Sequence, residues 1–261
     1  MNARLRGYLV LAYAAVSMAF FFFISLPVML ITGSGDLPMW FCRRAWAPSA
    51  LWMAGVDLDI RWLAPLPDGP AIFASNHESA LDIWAVTAAI PRGVRFVAKK
   101  ELFRIPVFGW YLALGGHVKV DRRDRGQALA SLAAAGRKVA SGTSLIVFPE
   151  GTRSRDHRVH PFKKGPFAIA AAAQVPVVPI AVAGAGAITP KNHIAVHPGT
   201  LRVAIGRAVD PRDFPRREDL LREVRRRIIE QHLALGGLGG DVADAVAAAG
   251  LEGTSGREAS A

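Results

Sequence analysis

The first strong pattern along the chain is an unbroken apolar run. From Tyr8 to Ile31 no side chain is charged, and Phe20, Phe21, Phe22 and Phe23 stand in a row. As one straight helix this stretch would be roughly 36 Å long, enough to cross a hydrocarbon core of about 30 Å. Pro27 lies inside it and is expected to kink or interrupt it. Arg4 and Arg6 precede the run, and Arg43 and Arg44 follow the polar break Thr32–Asp36. Basic residues on both flanks suit two ends on the same, cytoplasmic face, as in a re-entrant or surface-embedded helical hairpin. A second apolar segment, Trp40 to Trp62, carries Trp40, Trp46, Trp52 and Trp62 among a few charges. It reads as helix suited to the headgroup zone of a bilayer. A secretory signal is the rival reading, but the run is longer than a signal core and no small-x-small site ends it.

From about Pro67 the pattern changes to short apolar runs alternating with helical stretches. Ala71–Ser75, Arg95–Ala98, His117–Val120, Ser144–Phe148, Val177–Val182 and Leu201–Ile205 read as strands. Ala80–Ile90, Arg125–Ser141 and Pro166–Ala173 read as helices, and Arg216–Leu235 as an amphipathic helix with an arginine-rich face. The alternation predicts an α/β fold: a mostly parallel sheet flanked by helices, behind an apolar, membrane-associated helical segment. The expected organisation is an anchor over 1–64, an α/β domain over 65–235, and a disordered Ala-, Gly- and Ser-rich tail over 236–261.

Composition sharpens this only in part. Hydrophobic residues make up 51% of the 261 positions, which excludes general disorder, and the mean hydropathy is +0.25. Thirty-two lysines and arginines against 21 acids give a net charge of +11, so an anionic partner is expected: nucleic acid, a membrane surface or a phosphorylated substrate. The single cysteine, Cys42, excludes an internal disulfide and any cysteine-rich metal cluster.

Two constellations carry chemistry. In Ser75-Asn76-His77-Glu78-Ser79-Ala80-Leu81-Asp82 an apolar strand ends where a helix pattern begins. Ser79 and Asp82 have capping-box spacing. With His77 in the turn and Asp82 in the first helical turn, the carboxylate can reach one imidazole nitrogen and free the other to take a proton from a hydroxyl. A capping acid beside a structural histidine is the alternative reading. The second constellation, Phe148-Pro149-Glu150-Gly151-Thr152-Arg153-Ser154, follows the most apolar strand, at the end where open α/β sheets bind ligands. Gly151 permits close backbone approach and Arg153 offers a bidentate fork for phosphate, although an ordinary polar turn would look similar. Lys99, Arg122 and Lys163 put further cations after other strands or beside this loop, where a dianionic headgroup could be held.

The order of these blocks resembles the 1-acylglycerol-3-phosphate O-acyltransferases, the lysophosphatidic acid acyltransferases, over roughly Pro67 to Val182. The blocks are Asn76-His77 with Asp82; Ala98-Lys99-Lys100-Glu101-Leu102 running to Pro106 and Gly109; Gly116 to Asp121-Arg122; Phe148 to Ser154; and Val175-Pro176-Val177-Val178-Pro179-Ile180. The resemblance implies acyl transfer from acyl-CoA or an acyl-carrier protein to 1-acyl-sn-glycerol-3-phosphate, giving phosphatidic acid. No cofactor or metal is called for. It implies His77 as general base and Asp82 as its orienter. Lys99, Arg122, Glu150, Gly151, Thr152, Arg153 and Lys163 would bind the acceptor, and the Pro176–Pro179 strand would shape the acyl side. It also implies membrane phospholipids as partners, no nucleic acid, and a place at the inner membrane with the site facing the cytoplasm. No Gly-x-Ser-x-Gly elbow offers a covalent nucleophile instead.

Several details depart from the family pattern. His117 and Lys119 interrupt an otherwise apolar lead into Asp121 and read as solvent-facing residues of an edge strand, with contact to the headgroup as the alternative. Glu78 reads as local and solvent-facing, although an acid this close could perturb His77. Gly184-Ala185-Gly186 lacks a third glycine and a following helix and reads as a turn. Arg225, Arg226 and Arg227 are expected to face anionic lipid. A different lysolipid acceptor, such as a lyso-ornithine lipid, and a non-catalytic membrane-binding protein are the rival functions.

Overall fold

The computed structural model describes residues 1–121, 125–190 and 193–240. Helix α1 runs from Ala3 to Thr32 without a break at Pro27, against the expected interruption. Gly33, at φ 64°, ends it by donating its N–H to the Met29 carbonyl, the usual left-handed stop. The chain then turns into a second arm that is helical throughout: α2 (Asp36–Phe41), a π-helical turn (Cys42–Trp46) and α3 (Ala47–Ala54). The Trp46 indole N–H donates to the Ala14 carbonyl (3.0 Å) and pins the two arms together. The helical-hairpin expectation therefore holds as geometry. Gly7, Val10, Ala14, Phe22, Ser25 and Met29 form the buried stripe of α1 over most of its length. The opposite side leaves Leu9, Val16, Phe20, Phe23, Ile24 and Ile31 exposed. By length and composition α1 is the one helix among the described residues able to cross a membrane.

Gly55, at φ 72°, ends the second arm, and the next residues are strand β1 (Val56–Trp62), not helix. The tryptophan-rich reading of residues 56–62 is thus corrected, and the sheet begins inside the expected anchor. Alternating apolar and polar positions (Val56, Leu58, Ile60 between Asp57, Asp59 and Arg61) mark a strand with one covered face. The other strands are β2 (Ile72–Ser75), β3 (Val94–Lys99), β4 (Val118–Val120), β5 (Ser144–Val147), β6 (Val177–Ala183) and β7 (Gly199–Ile205). They form one sheet in the order β1-β7-β6-β2-β5-β3-β4. Every neighbouring pair is parallel except β6 and β7.

Helices cover both faces. Phe73, Ile146, Val178 and Ile180 point to a core shared with α3 and α4 (Leu81–Ala89), while Ile72, Leu145, Val147 and Ala181 point to the opposite core. That second core is shared with α6 (Arg125–Ala140), α7 (Gly165–Ala173) and α9 (Arg217–Ala234). Burial on both faces is why these strands read as continuous apolar runs. Two short helices, α5 (Phe108–Leu114) and α8 (Ala185–Ile188), complete the set; α5 meets the end of α1 in a third, smaller cluster.

Three expectations change here. The helix α8 follows Gly184 directly, so that glycine pair opens a one-turn helix. The α9 arginines lie on the far side of the sheet from α1. Arg226 pairs with Glu223 and Glu230, Arg227 pairs with Glu223, and Arg225 donates to the carbonyls of Val159 and His160. Their contacts here are with the protein itself. Residues 236–240 of the expected tail lie against the 158–160 segment: Val159 N–H donates to Gly239 O (2.8 Å), and Arg158 donates to the Leu238 and Gly240 carbonyls. Residues 241–261 are outside the described residues.

Candidate active site

Strands β2, β5, β3 and β4 are adjacent and parallel, so the segments that follow them gather along one edge of the sheet. Those segments carry His77, the Phe148–Ser154 loop, Lys99 with Lys100, and Asp121. Asn76 anchors the first. Its side chain donates to Val182 O and accepts from Val182 N–H, both at 2.8 Å, joining the end of β2 to β6.

His77 Nδ1 lies 2.8 Å from Asp82 Oδ2. Asp82 is fully buried, and the same oxygen accepts the backbone N–H groups of Glu78 (2.6 Å) and Ser79 (2.8 Å). The Ser79 contact is the acid's half of the expected capping box. Burial pushes the Asp82 carboxyl up, opposed by its bond to His77. A carboxylate held by two N–H groups takes its third hydrogen bond from Nδ1–H, which leaves Nε2 as the ring's proton acceptor. The Phe148 ring stacks on the imidazole, centroids 4.1 Å apart and 22° from parallel. The His77 side chain keeps 15% exposure, so the ring is fixed and still reachable.

The second loop clamps the first. Glu150 Oε1 accepts the His77 N–H (3.0 Å), and Ser154 N–H donates to the His77 carbonyl (2.7 Å). Burial raises the Glu150 carboxyl to about 8, with the nearby acids Asp82 and Glu78 adding to the rise. Glu150 therefore acts as a backbone clamp under His77. Gly151, at φ 78°, brings its Cα against Lys163; a Cβ there would stand 2.8 Å from Lys163 Cε. Lys163 is held in turn by its N–H to the Pro149 carbonyl (2.9 Å). Thr152, Arg153 and Ser154 line a cleft with Arg155, Asp156 and His160. A second cleft is lined by Lys100, Phe103, Arg104, Lys119, Asp121 and Ser131.

The sequence-predicted residues thus divide. Asp82 and Glu150 both hold His77, Gly151 and Lys163 touch, and Thr152 and Arg153 share the adjacent cleft. Lys99 is exposed and pairs with Glu101 (3.6 Å), while its neighbour Lys100 reaches Asp121. Arg122 lies outside the described residues. The Pro176–Pro179 stretch sits in or beside β6, every residue of which is buried at the centre of the sheet, so it builds the scaffold and lines neither cleft.

Glu78 and His117 are corrected outright. Glu78 is 3% exposed: Oε1 lies 2.9 Å from His232 Nε2, and Oε2 accepts the Gly186 N–H (3.0 Å). His117 is buried between Phe96 and Tyr111, where Nδ1 accepts the Phe96 N–H (3.0 Å); burial, with Arg95 and Lys138 nearby, drops it to about 3. Lys119 is exposed on the edge strand as expected. His232 was missed; only its place on the apolar side of α9, after Val224 and Ile228, hinted at burial.

Residues 58–183 match the family model described as acyltransferase. The chloroplastic 1-acyl-sn-glycerol-3-phosphate acyltransferase of Brassica napus is 35% identical over 243 residues, covering 88% of this chain and 67% of that one. The enzyme of the same name from Pseudomonas aeruginosa is 34% identical over 174 residues, 65% of this chain and 67% of its own. The crystal structure of the 1-acyl-sn-glycerophosphate acyltransferase PlsC from Thermotoga maritima superposes with a TM-score of 0.70 at 26% identity, covering 85% of this chain and 95% of that one. The chain spans 44–67% of the length of eight curated relatives it matches. The matched superposition and these identities over most of the chain place it in one group: it belongs to the acyltransferase family that contains the 1-acyl-sn-glycerol-3-phosphate acyltransferases.

Proposed function

We propose that this protein transfers an acyl group from a thioester donor, acyl-CoA or acyl-carrier protein, to the free hydroxyl of 1-acyl-sn-glycerol-3-phosphate at a membrane surface. The observation that carries the reading is the His77–Asp82 contact of 2.8 Å, with Asp82 buried and its oxygen already holding two backbone N–H groups. Nε2 takes the acceptor's hydroxyl proton as its oxygen attacks the thioester carbonyl. The tetrahedral intermediate then expels the thiolate, which recovers the proton from the imidazolium. Both substrates are bound at once, so orientation replaces a covalent enzyme intermediate. Arg153 grips the acceptor's phosphate from the cleft beside the clamp loop, with Lys163 and the segments after β3 and β4 supplying further positive charge.

The buried stripe along α1 bears on how the protein meets its lipids. A helix of 30 residues that packs on its own domain for most of its length fits an in-plane seat better than a span, with its outer face in one leaflet. Trp40, Trp52 and Trp110 stand exposed beside it, the side chains that settle at headgroup depth.

The test is acyl transfer by the purified protein in detergent, with lysophosphatidic acid and each donor in turn. His77→Ala should lower kcat by about 10²–10⁴-fold, the usual share of general-base catalysis. Arg153→Ala should raise the acceptor's KM and leave the donor's unchanged. Wild-type turnover in the first variant would overturn the base; an effect of the second confined to the donor would overturn the phosphate grip.

A further inference from the structure

Behind the His77–Asp82 pair, hydrogen bonds continue out of the site and end at the C-terminal side of α9. His232 is fully buried in the last turn of that helix. Its Nδ1 accepts the Gly239 N–H (3.1 Å), which assigns the ring proton to Nε2. Nε2–H therefore donates to Glu78 Oε1 at 2.9 Å. The other Glu78 oxygen takes the Gly186 N–H at the start of α8, so both oxygens are occupied and the side chain is fixed. The backbone N–H of this same residue donates to Asp82 Oδ2, the oxygen that holds His77.

We infer that Glu78 and His232 are positioning residues for the His77–Asp82 pair, and that the glycine-rich strap 236–240 locks them in place. The inference rests on the reading of His77 as the base. Its physical basis is that the residue after His77 is the first point at which the catalytic turn could relax. A peptide N–H aimed at Asp82 from a free loop would swing; one whose side chain is held on both oxygens does not. The strap fits this role closely. Gly237 lies flat on the imidazole, where a Cβ would stand 2.3 Å from Nε2, and its N–H donates to the His232 carbonyl (2.8 Å). Arg158, the Val159 N–H and Arg225 then fasten the strap and its neighbouring segment to one another and to α9. Displacing a catalytic group by as little as 1 Å can cost about a hundredfold in rate, so an anchor this far from the chemistry has leverage.

The experiment compares His232→Ala, Glu78→Ala, the double variant and His232→Gln as full-length protein in detergent. It reads kcat and both KM values, thermal unfolding, and the His77 Nδ1–H proton resonance. His232→Ala should lower kcat between about ten- and a hundredfold with both KM values unchanged. The double variant should be no slower than the slower single one, because the two residues act along one path. His232→Gln keeps an N–H donor for Glu78 and should restore most of kcat. The Nδ1–H resonance should shift or broaden in His232→Ala and return in His232→Gln, and this readout stands whether or not lysophosphatidic acid is the acceptor. An unchanged resonance, or unchanged kcat in folded His232→Ala protein, would overturn the inference. Loss of melting temperature with both of these intact would make the pair merely structural and overturn it equally. Absence of transfer by the wild-type protein, with the resonance still responsive, would count against the proposed function alone.

Discussion

At the scale of single residues, the site is built from acids with unlike duties. Asp82 orients the imidazole, Glu78 fixes a peptide N–H, and Glu150 holds the His77 N–H from the neighbouring loop. The last of these has a thermodynamic signature. The Glu150 carboxyl is raised from 4.5 to about 8, chiefly by burial, so the folded state keeps a proton that the unfolded state releases. Its contribution is therefore full below about pH 4.5 and is lost as pH rises towards 8. Glu150→Gln keeps the acceptor for the His77 N–H without a titrating proton. Its unfolding midpoint should fall less steeply than wild type between pH 5 and about 8, read by denaturant titration at several pH values; parallel curves would sink the assignment. Asn76 offers a second residue-scale prediction. Asn76→Ala removes two buried hydrogen bonds to Val182 and leaves that residue's N–H and carbonyl unpaired, so stability should drop by about 2–4 kcal/mol in urea unfolding.

At the scale of elements, contacts overrule propensity at the start of α1. Gly7 faces the 193–196 segment so closely that a Cβ would stand 1.6 Å from the Ile194 carbonyl oxygen. Alanine is the better helix former by about 1 kcal/mol, yet Gly7→Ala should destabilise the docking of this helix end. Hydrogen exchange over Ala3–Tyr13 should accelerate while the sheet stays protected; slower exchange would mean that propensity wins. The same contrast explains what could be read from sequence. Strands β2, β5 and β6 were legible because burial on both faces writes an uninterrupted apolar run, and α9 because its apolar positions keep helical spacing. The His77–Asp82 contact was legible because a turn and a first helical turn are close in sequence. By contrast, β1 was hidden between tryptophans, since tryptophan suits a strand as well as an interfacial helix. The contact between Glu78 and His232 was not legible, because 154 positions separate them. Among the expected binding residues Lys99 pairs with Glu101, a matter of side-chain direction that one-dimensional spacing does not carry.

At the scale of the molecule, the apolar hairpin and the arginines of α9 occupy different sides. The apolar hairpin covers the core shared by α3 and α4, while the arginines of α9 lie beyond the opposite face, paired with acids of their own helix. The net charge of +11 is thus a weaker guide to the proposed membrane face than the outer surface of α1. Replacing Phe20 and Ile24 together by glutamate should weaken binding to vesicles of phosphatidylglycerol and phosphatidylcholine by at least about tenfold, given roughly 1.5–3 kcal/mol for each large apolar side chain removed from lipid. Flotation of wild type and variant checks this, with circular dichroism confirming that both are helical. Equal flotation would place the membrane contact elsewhere.

The parallel pairing of β1 with β7 also sets an order of events during synthesis. Val56 registers with Gly199 and Trp62 with Ile205, so the strand that directly follows the apolar hairpin must wait for a partner made some 143 residues later. At about 5–20 residues per second that delay is roughly 7–30 s. Through it the hairpin is complete, since its arms are held by contacts such as Trp46 to Ala14 that lie within the first 55 residues. Its outer face is uncovered during that time, and so are Gly7, Phe22 and Met29, which later meet Ile194, Tyr111 and Leu112. A lipid bilayer is an apolar phase that would relieve this exposure. On the proposed in-plane seat, the outer face of α1 would enter lipid before the sheet closes, so attachment would precede the finished fold.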